Sequence, residues 1–135
     1  MAKFAQGLLD TSVIIDLESI DPELLRNEAS VSAISMAELS AGPPATFDVK
    51  ERARGQARLQ FMEASLSPIP FDADCARAYS LVFAAVSAAG KKSKDASGID
   101  LMIATTSVRL GVPLLTRNAA DFVGLEGLSI IVSLP

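Results

Sequence analysis

Short apolar blocks alternate with longer amphipathic segments along the chain, and glycine, proline or a capping residue stands at most junctions. This alternation is typical of β-α-β units, in which helices connect parallel strands and pack on both faces of a sheet. The chain has 135 residues and half of them are hydrophobic, enough for one substantial core. We therefore predict a single α/β domain over residues 1–135, without an internal repeat.

Five apolar segments are predicted to be strands, at residues 7–9, 30–34, 66–71, 112–116 and 128–134. About six or seven helices are expected between them, including long ones over residues 48–64 and 72–89. The Gly-Pro-Pro sequence at 42–44 is expected to end the helix that follows the second strand. Gly111 is expected to end the helix before the fourth strand.

Four acidic residues, far apart in the chain, fall where a predicted strand ends or a predicted helix begins. Asp10 and Asp121 follow strands, whereas Glu38 and Asp100 lie in the first turns of helices. In an open parallel sheet such positions meet at one edge, beyond the carboxyl ends of the strands. Carboxylates gathered there resist ionising together unless cations offset their charge, and an all-oxygen ligand set suits Mg²⁺ or Mn²⁺. The sequence therefore predicts a divalent-metal site.

Composition excludes several other kinds of site. Histidine is absent, which rules out histidine acid–base catalysis, Ser-His-Asp triads and histidine-ligated metals. The single cysteine, Cys75, provides neither a disulfide framework nor a thiolate zinc site. The net charge is -4, and removing the four candidate ligands from the 16 acidic residues leaves as many acids as the 12 bases, so nucleic acid is not excluded. With no apolar run of membrane-spanning length, we expect a cytoplasmic protein.

Local helix capping offers an alternative explanation for some of these polar residues. Ser12 is predicted to cap a helix that begins at Val13, and Ser35 with Glu38 fits a capping box, which would explain Glu38 without any chemistry. Thr11 and Ser12 are also candidates to orient the Asp10 carboxylate, and Thr116 to brace the same site. For these hydroxyls the capping and supporting roles stay open.

Four sequence motifs contain the candidate acids, at residues 8–15 (LLDTSVII), 34–39 (ISMAEL), 100–104 (DLMIA) and 115–122 (LTRNAADF), and a fifth follows them at residues 127–131 (GLSII). In these segments the chain resembles the PIN-domain family, specifically the VapC-type toxin ribonucleases of toxin–antitoxin pairs. Each motif alone is weak, but their order and spacing together are fairly specific. They run almost from one end of the chain to the other.

This resemblance implies a three-layer domain with a five-stranded parallel sheet flanked by helices, a homodimer, and a cognate VapB-like antitoxin that blocks the site. It also implies endonucleolytic cleavage of RNA by water that Mg²⁺ or Mn²⁺ activates. Asp10, Glu38 and Asp100 match three invariant acids of the family pattern. The fourth ligand position corresponds either to Asp121 or to Asn118, which would supply an amide oxygen.

Basic residues near the motifs are candidates to contact RNA. Arg117 stands beside the possible fourth ligand, and Lys91, Lys92 and Lys94 form the single basic run of the chain, shortly before Asp100. A solvated surface is the alternative explanation for all four.

Two other functions compete with a nuclease. A PIN-like module that binds RNA or protein without catalysis is one of them, although the complete set of four acids argues against it. An aspartyl-phosphate enzyme is the other, but the haloacid-dehalogenase pattern requires a second aspartate where this chain has Ser12. A dinucleotide-binding domain is excluded because no glycine-rich loop follows the first strand.

Overall fold

The computed structural model describes residues 6–25, 28–90 and 97–135. Their strands are β1 (Gln6–Leu9), β2 (Glu28–Val31), β3 (Leu114–Thr116) and β4 (Ile131–Ser133). The α-helices are α1 (Thr11–Ile15), α2 (Ala33–Ala45), α3 (Val49–Ser65), α4 (Ala73–Ala88) and α5 (Gly98–Leu110). Short 3-10 helices cover Leu17–Ser19, Pro22–Leu24 and Ala119–Phe122.

The described strands form one parallel sheet in the order β2-β1-β3-β4. β1 lies inside the sheet, where Leu8 and Leu9 pair with Leu114 and Leu115 of β3. Because all the strands run in the same direction, their carboxyl ends share one edge. The predicted parallel α/β architecture is therefore confirmed.

Alternate residues of the inner strands feed two separate cores. Leu9 and Leu115 pack with α1, α2 and α3 on one face, while Leu8 and Leu114 pack with α4 and α5 on the other. Side chains of successive strand residues point to opposite faces, so a sheet covered on both sides needs consecutive apolar residues. The Leu-Leu pairs of β1 and β3 meet that requirement and produce three layers.

The prediction of a fifth strand at residues 66–71 is wrong. Only Ile69 of this segment joins the sheet: its N–H donates to the Val31 carbonyl at 2.8 Å, and its own carbonyl accepts from Ala33 N–H at 2.8 Å. Pro68 and Pro70 flank Ile69 and have no N–H to donate. The segment therefore makes a single bridge beside β2.

Other boundaries differ from prediction by a few residues. β2 occupies Glu28–Val31 instead of 30–34, and α2 continues through the Gly-Pro-Pro sequence to Ala45. Its prolines lie in the last turn, where their missing N–H groups cost only the final bonds of the helix. The two long helices are confirmed, with Asp48 and Asp72 as their N-caps, and so is Gly111, which ends α5 with φ 70°.

None of the helices formed by the described residues combines the length and the apolar character needed to cross a membrane.

Candidate active site

A cleft of about 530 Å³ opens at the carboxyl-end edge of the sheet. Three of the four predicted acids line it: Asp10 directly after β1, Glu38 in α2, and Asp100 in the first turn of α5. The cleft is lined by Asp10, Thr11, Ser12, Ile15, Asp16, Glu38, Asp100, Arg117 and Asn118. Carboxylates from three separate elements of the fold thus face one space.

The Asp10 carboxylate is buried, with only 3% of the residue exposed, and two hydroxyls hold it. Ser12 Oγ donates to Asp10 Oδ2 at 2.8 Å, and Thr116 Oγ1 donates to the same oxygen at 2.7 Å. The prediction that Ser12 caps a helix is wrong, since α1 begins one residue before it and Asp10 occupies the N-cap position. The Ser12 hydroxyl is therefore free to bind the carboxylate.

Glu38 is held by Thr11, which was predicted to orient Asp10. Thr11 Oγ1 donates to Glu38 Oε1 at 2.6 Å and lies 2.9 Å from Ser35 Oγ. The predicted capping box of Ser35 and Glu38 is wrong, because α2 begins two residues before Ser35 and its N-cap is Ser32, which accepts a hydrogen bond from Ser35 N–H at 3.0 Å. Glu38 thus faces the cleft without a capping role.

Burial raises the pKa of the Glu38 carboxyl above its ordinary value. The hydrogen bond from Thr11 acts in the opposite direction, and the negative charges of Asp100 and Asp10 raise the pKa further. The ionised form of Glu38 is therefore disfavoured by its acidic neighbours. A cation in the cleft would reverse that effect.

The capping box of this site belongs to Asp100. Its Oδ2 accepts from the backbone N–H of Ser97 at 3.2 Å, while Ser97 Oγ accepts from Asp100 N–H at 3.1 Å. These bonds fix the side chain at the start of α5. Asp100 therefore both caps α5 and lines the cleft.

The two candidates for the fourth ligand are placed differently. Asn118 lines the cleft, and its N–H donates to Thr116 Oγ1 at 3.0 Å. Asp121 lies in the following 3-10 helix, where its N–H donates to the Asn118 carbonyl at 2.9 Å, and it does not belong to the cleft lining. Asn118 is therefore the better placed of the two.

The candidate RNA contacts are only partly described. Arg117 lines the cleft, and its guanidinium pairs with Asp16 at 2.7 Å. Asp16 also lines the cleft, and it was not predicted because no sequence motif marks it. Lys91, Lys92 and Lys94 lie outside the described residues, so their predicted role stays a prediction.

The chemistry of the donors fits a hard cation such as Mg²⁺ or Mn²⁺, since all are oxygens. From the described residues, the hydrogen bonds to the Asp10 carboxylate reach only Oδ2, which leaves the buried Oδ1 as an open acceptor. In this part of the chain no three acidic, cysteine or histidine side chains converge closely enough to hold an ion by themselves. Mg²⁺ usually binds one or two protein carboxylates and keeps several waters, so a site of this kind does not need three.

A parallel sheet between two helical layers, with carboxylates from separate elements in a cleft beyond its strand ends, defines an α/β domain with an acidic cleft. Residues 7–124 match the family model described as PIN domain, so the chain belongs to the PIN-domain family, as the motifs predicted.

Known proteins resemble the chain over most of its length. It is 26% identical to "Ribonuclease VapC1" of Rickettsia felis over 128 residues, covering 92% of this chain and 93% of that protein. It is also 26% identical to "Ribonuclease VapC" of Rickettsia bellii, with the same coverage. The crystal structure of VapBC-5, a toxin–antitoxin system of Mycobacterium tuberculosis, superposes with a TM-score of 0.82 at 28% identity, covering 96% of this chain and 99% of that one.

Proposed function

We propose that this chain is an endoribonuclease that acts as the toxin of a toxin–antitoxin pair, with Mg²⁺ or Mn²⁺ as its cofactor. The observation that carries this proposal is the gathering of Asp10, Glu38 and Asp100 in one cleft of a PIN-domain chain. The ribonuclease names of its relatives support RNA as the substrate.

The cation, when bound, lowers the pKa of a coordinated water and offsets the charge of the phosphate. The protein side chains orient the groups that would hold it. Ser12 and Thr116 fix the Asp10 carboxylate through Oδ2, and Thr11 fixes Glu38 through Oε1. Among the described residues, no hydrogen bond reaches the second oxygen of either carboxylate, so each acid is held in place through one oxygen and keeps the other as a potential ligand.

An antitoxin is the proposed partner, as in the toxin–antitoxin structure that the chain resembles. A largely apolar groove of about 510 Å³ lies between α1 and α3, and Ile15 lines both this groove and the acidic cleft. Phe61 is 58% exposed and Ile15 is 48% exposed along it. An antitoxin segment with apolar residues in the groove would lead to the cleft, where a basic side chain could pair with the carboxylates.

The decisive experiment compares RNA cleavage by the wild-type protein with that by Asp10→Asn and Asp100→Asn. Both variants are expected to lose cleavage in Mg²⁺ while remaining folded, and excess EDTA should abolish wild-type activity. Asp74→Asn, which removes a carboxylate outside the cleft lining, is the matched control and should cleave normally. Full activity in EDTA or in either cleft variant would contradict the proposal.

The same samples separate the alternative functions. RNA that is bound but never cleaved by the wild-type protein would indicate a binding module, and phosphate incorporated at Asp10 would indicate an aspartyl-phosphate enzyme. For the toxin role, induced expression should arrest growth, and coexpression of a neighbouring antitoxin gene should restore it. Replacing Phe61 with Glu should weaken that rescue, whereas Phe47→Glu, at a residue 98% exposed outside the groove lining, should not.

A further inference from the structure

Arg117 is the one cationic side chain among the described residues that line the cleft. The acidic residues of the lining are Asp10, Asp16, Glu38 and Asp100. A surface of this composition repels the phosphates of RNA, so a positively charged side chain at its edge strongly affects whether an RNA strand can approach.

Arg117 is held in place through its side chain by Asp16, which follows the last residue of α1, and through its backbone by Ser12 within α1. Its Nη1 donates to Oδ2 of Asp16 at 2.7 Å, and its backbone N–H donates to Ser12 Oγ at 3.1 Å. The hydroxyl of Ser12 in turn donates to Asp10. The backbone of Arg117 is therefore anchored beside the hydroxyl that binds Asp10, whereas its guanidinium pairs with Asp16.

The bond to Asp16 leaves most of the Arg117 guanidinium available. A guanidinium has several N–H donors in one plane, and the side chains of Arg117 and Asp16 keep 32% and 48% of their surface exposed. Among the described residues, Asp16 is the only side chain that pairs with this guanidinium, so its other donors remain for a ligand. Two such donors in one plane match the oxygens of a phosphate.

We propose that Asp16 is a positioning residue that holds the Arg117 guanidinium at the edge of the cleft, where it contacts a phosphate of the RNA backbone; this rests on the proposed function. Without Asp16, the guanidinium is attracted to the unpaired carboxylates further inside. There it would no longer contact the RNA.

This inference predicts an effect opposite to that of simple charge removal. Deleting a negative charge beside an RNA site normally strengthens binding, because it removes a repulsion. A positioning role makes the loss of Asp16 weaken binding instead. If Asp16 merely masked Arg117, its removal would also strengthen binding, so the sign of the change separates the explanations.

The experiment measures binding of a fluorescein-labelled single-stranded oligoribonucleotide of mixed sequence to the full chain, in EDTA to prevent cleavage. Asp16→Asn should weaken binding about two- to fivefold and Arg117→Ala about tenfold. Asp16→Asn combined with Arg117→Ala should bind no more weakly than Arg117→Ala alone. Asp16→Glu, which keeps a carboxylate to pair with the guanidinium, should retain most of the affinity.

Two further readouts exclude a merely structural role. The slope of log affinity against log salt should fall by about 0.7 in Arg117→Ala, as expected for one phosphate contact on a single strand, and Asp16→Asn should move it in the same direction. In Mg²⁺, Asp16→Asn should raise KM for RNA with little change in kcat. The matched control is Asp74→Asn, which removes an equally charged and similarly exposed partner of two arginines outside the cleft lining and should leave the affinity unchanged.

Three results would each overturn the inference. They are RNA binding by Asp16→Asn that is as tight as or tighter than that of the wild type, additive effects of the two substitutions, and no RNA binding by the wild-type chain. Its failure is distinguishable from that of the proposed function. A wild-type chain that cleaves RNA while Asp16→Asn binds normally contradicts only the role of Asp16. A chain that binds RNA as described but never cleaves it contradicts only the nuclease.

Discussion

Replacing Thr116 with Val tests whether the buried hydroxyls organise the acidic cleft. Thr116 is fully buried, and its hydroxyl donates to Asp10 and accepts from the N–H of Asn118. Valine keeps the shape of the side chain but removes both bonds. A hydrogen bond to a charged group contributes about 1.5–3 kcal/mol, whereas the N–H of exposed Asn118 can turn to water at little cost. We therefore expect a loss of about 2 kcal/mol and a melting temperature lower by about 6–10 °C in a domain of this size.

The same substitution should impair the site beyond its effect on folding. Among the described residues, Asp10 would keep only Ser12 as a hydroxyl donor, so its carboxylate could rotate away from the cleft. Loss of a group that orients a metal ligand typically reduces metal affinity or activity about 10- to 100-fold. Stability is measured by thermal unfolding in EDTA, and metal affinity by calorimetric titration with MnCl₂. Activity is measured as RNA cleavage below the melting temperature.

Thr116→Ser is the control, because it keeps the hydroxyl and removes one buried methyl, at a cost of about 1 kcal/mol. Its Mn²⁺ affinity and cleavage rate should stay close to those of the wild type. If Thr116→Val binds Mn²⁺ and cleaves RNA as well as Thr116→Ser does, the Thr116 hydroxyl does not organise the cleft.

Glu38→Gln should raise the melting temperature in EDTA, and the increase should be larger at about pH 7 than at about pH 4. A carboxyl with a raised pKa stabilises the fold when it is protonated and loses that contribution as the pH rises through its folded pKa. An equal increase at both pH values would argue against this. Asn118→Ala should reduce Mg²⁺-dependent cleavage more than Asp121→Ala does, since only Asn118 lines the cleft, and the reverse order would assign the fourth position to Asp121. Gly124→Ala should destabilise the fold by about 2–4 kcal/mol in chemical denaturation, because the added Cβ would lie 2.6 Å from a backbone carbonyl of α4 at a φ of 104°. Gly42→Ala, in open space within α2, should instead stabilise it by about 0.5–1 kcal/mol, and a similar response of the two glycines would contradict the contact.

The sequence was sufficient to place three cleft residues because parallel strands end at one edge of the sheet, and this holds even when the predicted element boundaries are slightly wrong. Asp10, Glu38 and Asp100 lie near strand ends and helix starts, and a shift of two residues does not remove them from the same edge of the sheet. The failed fifth strand shows a different limit. Residues 66–71 have the apolar pattern of a strand, but Pro68 and Pro70 lack the backbone N–H groups that a strand needs to pair with its neighbours.

Capping residues were harder to assign because neighbouring candidates compete and only tertiary contacts decide between them. Ser12 follows Asp10 by two positions and Ser35 follows Ser32 by three, and either member of each pair is an acceptable N-cap in isolation. In the folded chain Ser12 binds Asp10, and Ser35 lies beside Thr11. The pair of Asp16 and Arg117 joins residues 101 positions apart, and no local pattern can indicate such a contact.

The sheet register itself places the central carboxylate beside its donor. Leu9 pairs with Leu115 across β1 and β3, so Asp10 and Thr116, one residue further along each strand, lie next to each other at the edge. The Asp10 N–H also donates to the Leu115 carbonyl at 2.9 Å, which fixes that position. A slip of one residue would turn the Thr116 hydroxyl to the other face and bury a leucine at the cleft. Because both hydrophobic cores depend on the same register through the Leu-Leu pairs, the packing that stabilises the fold also specifies the geometry of the acidic cleft.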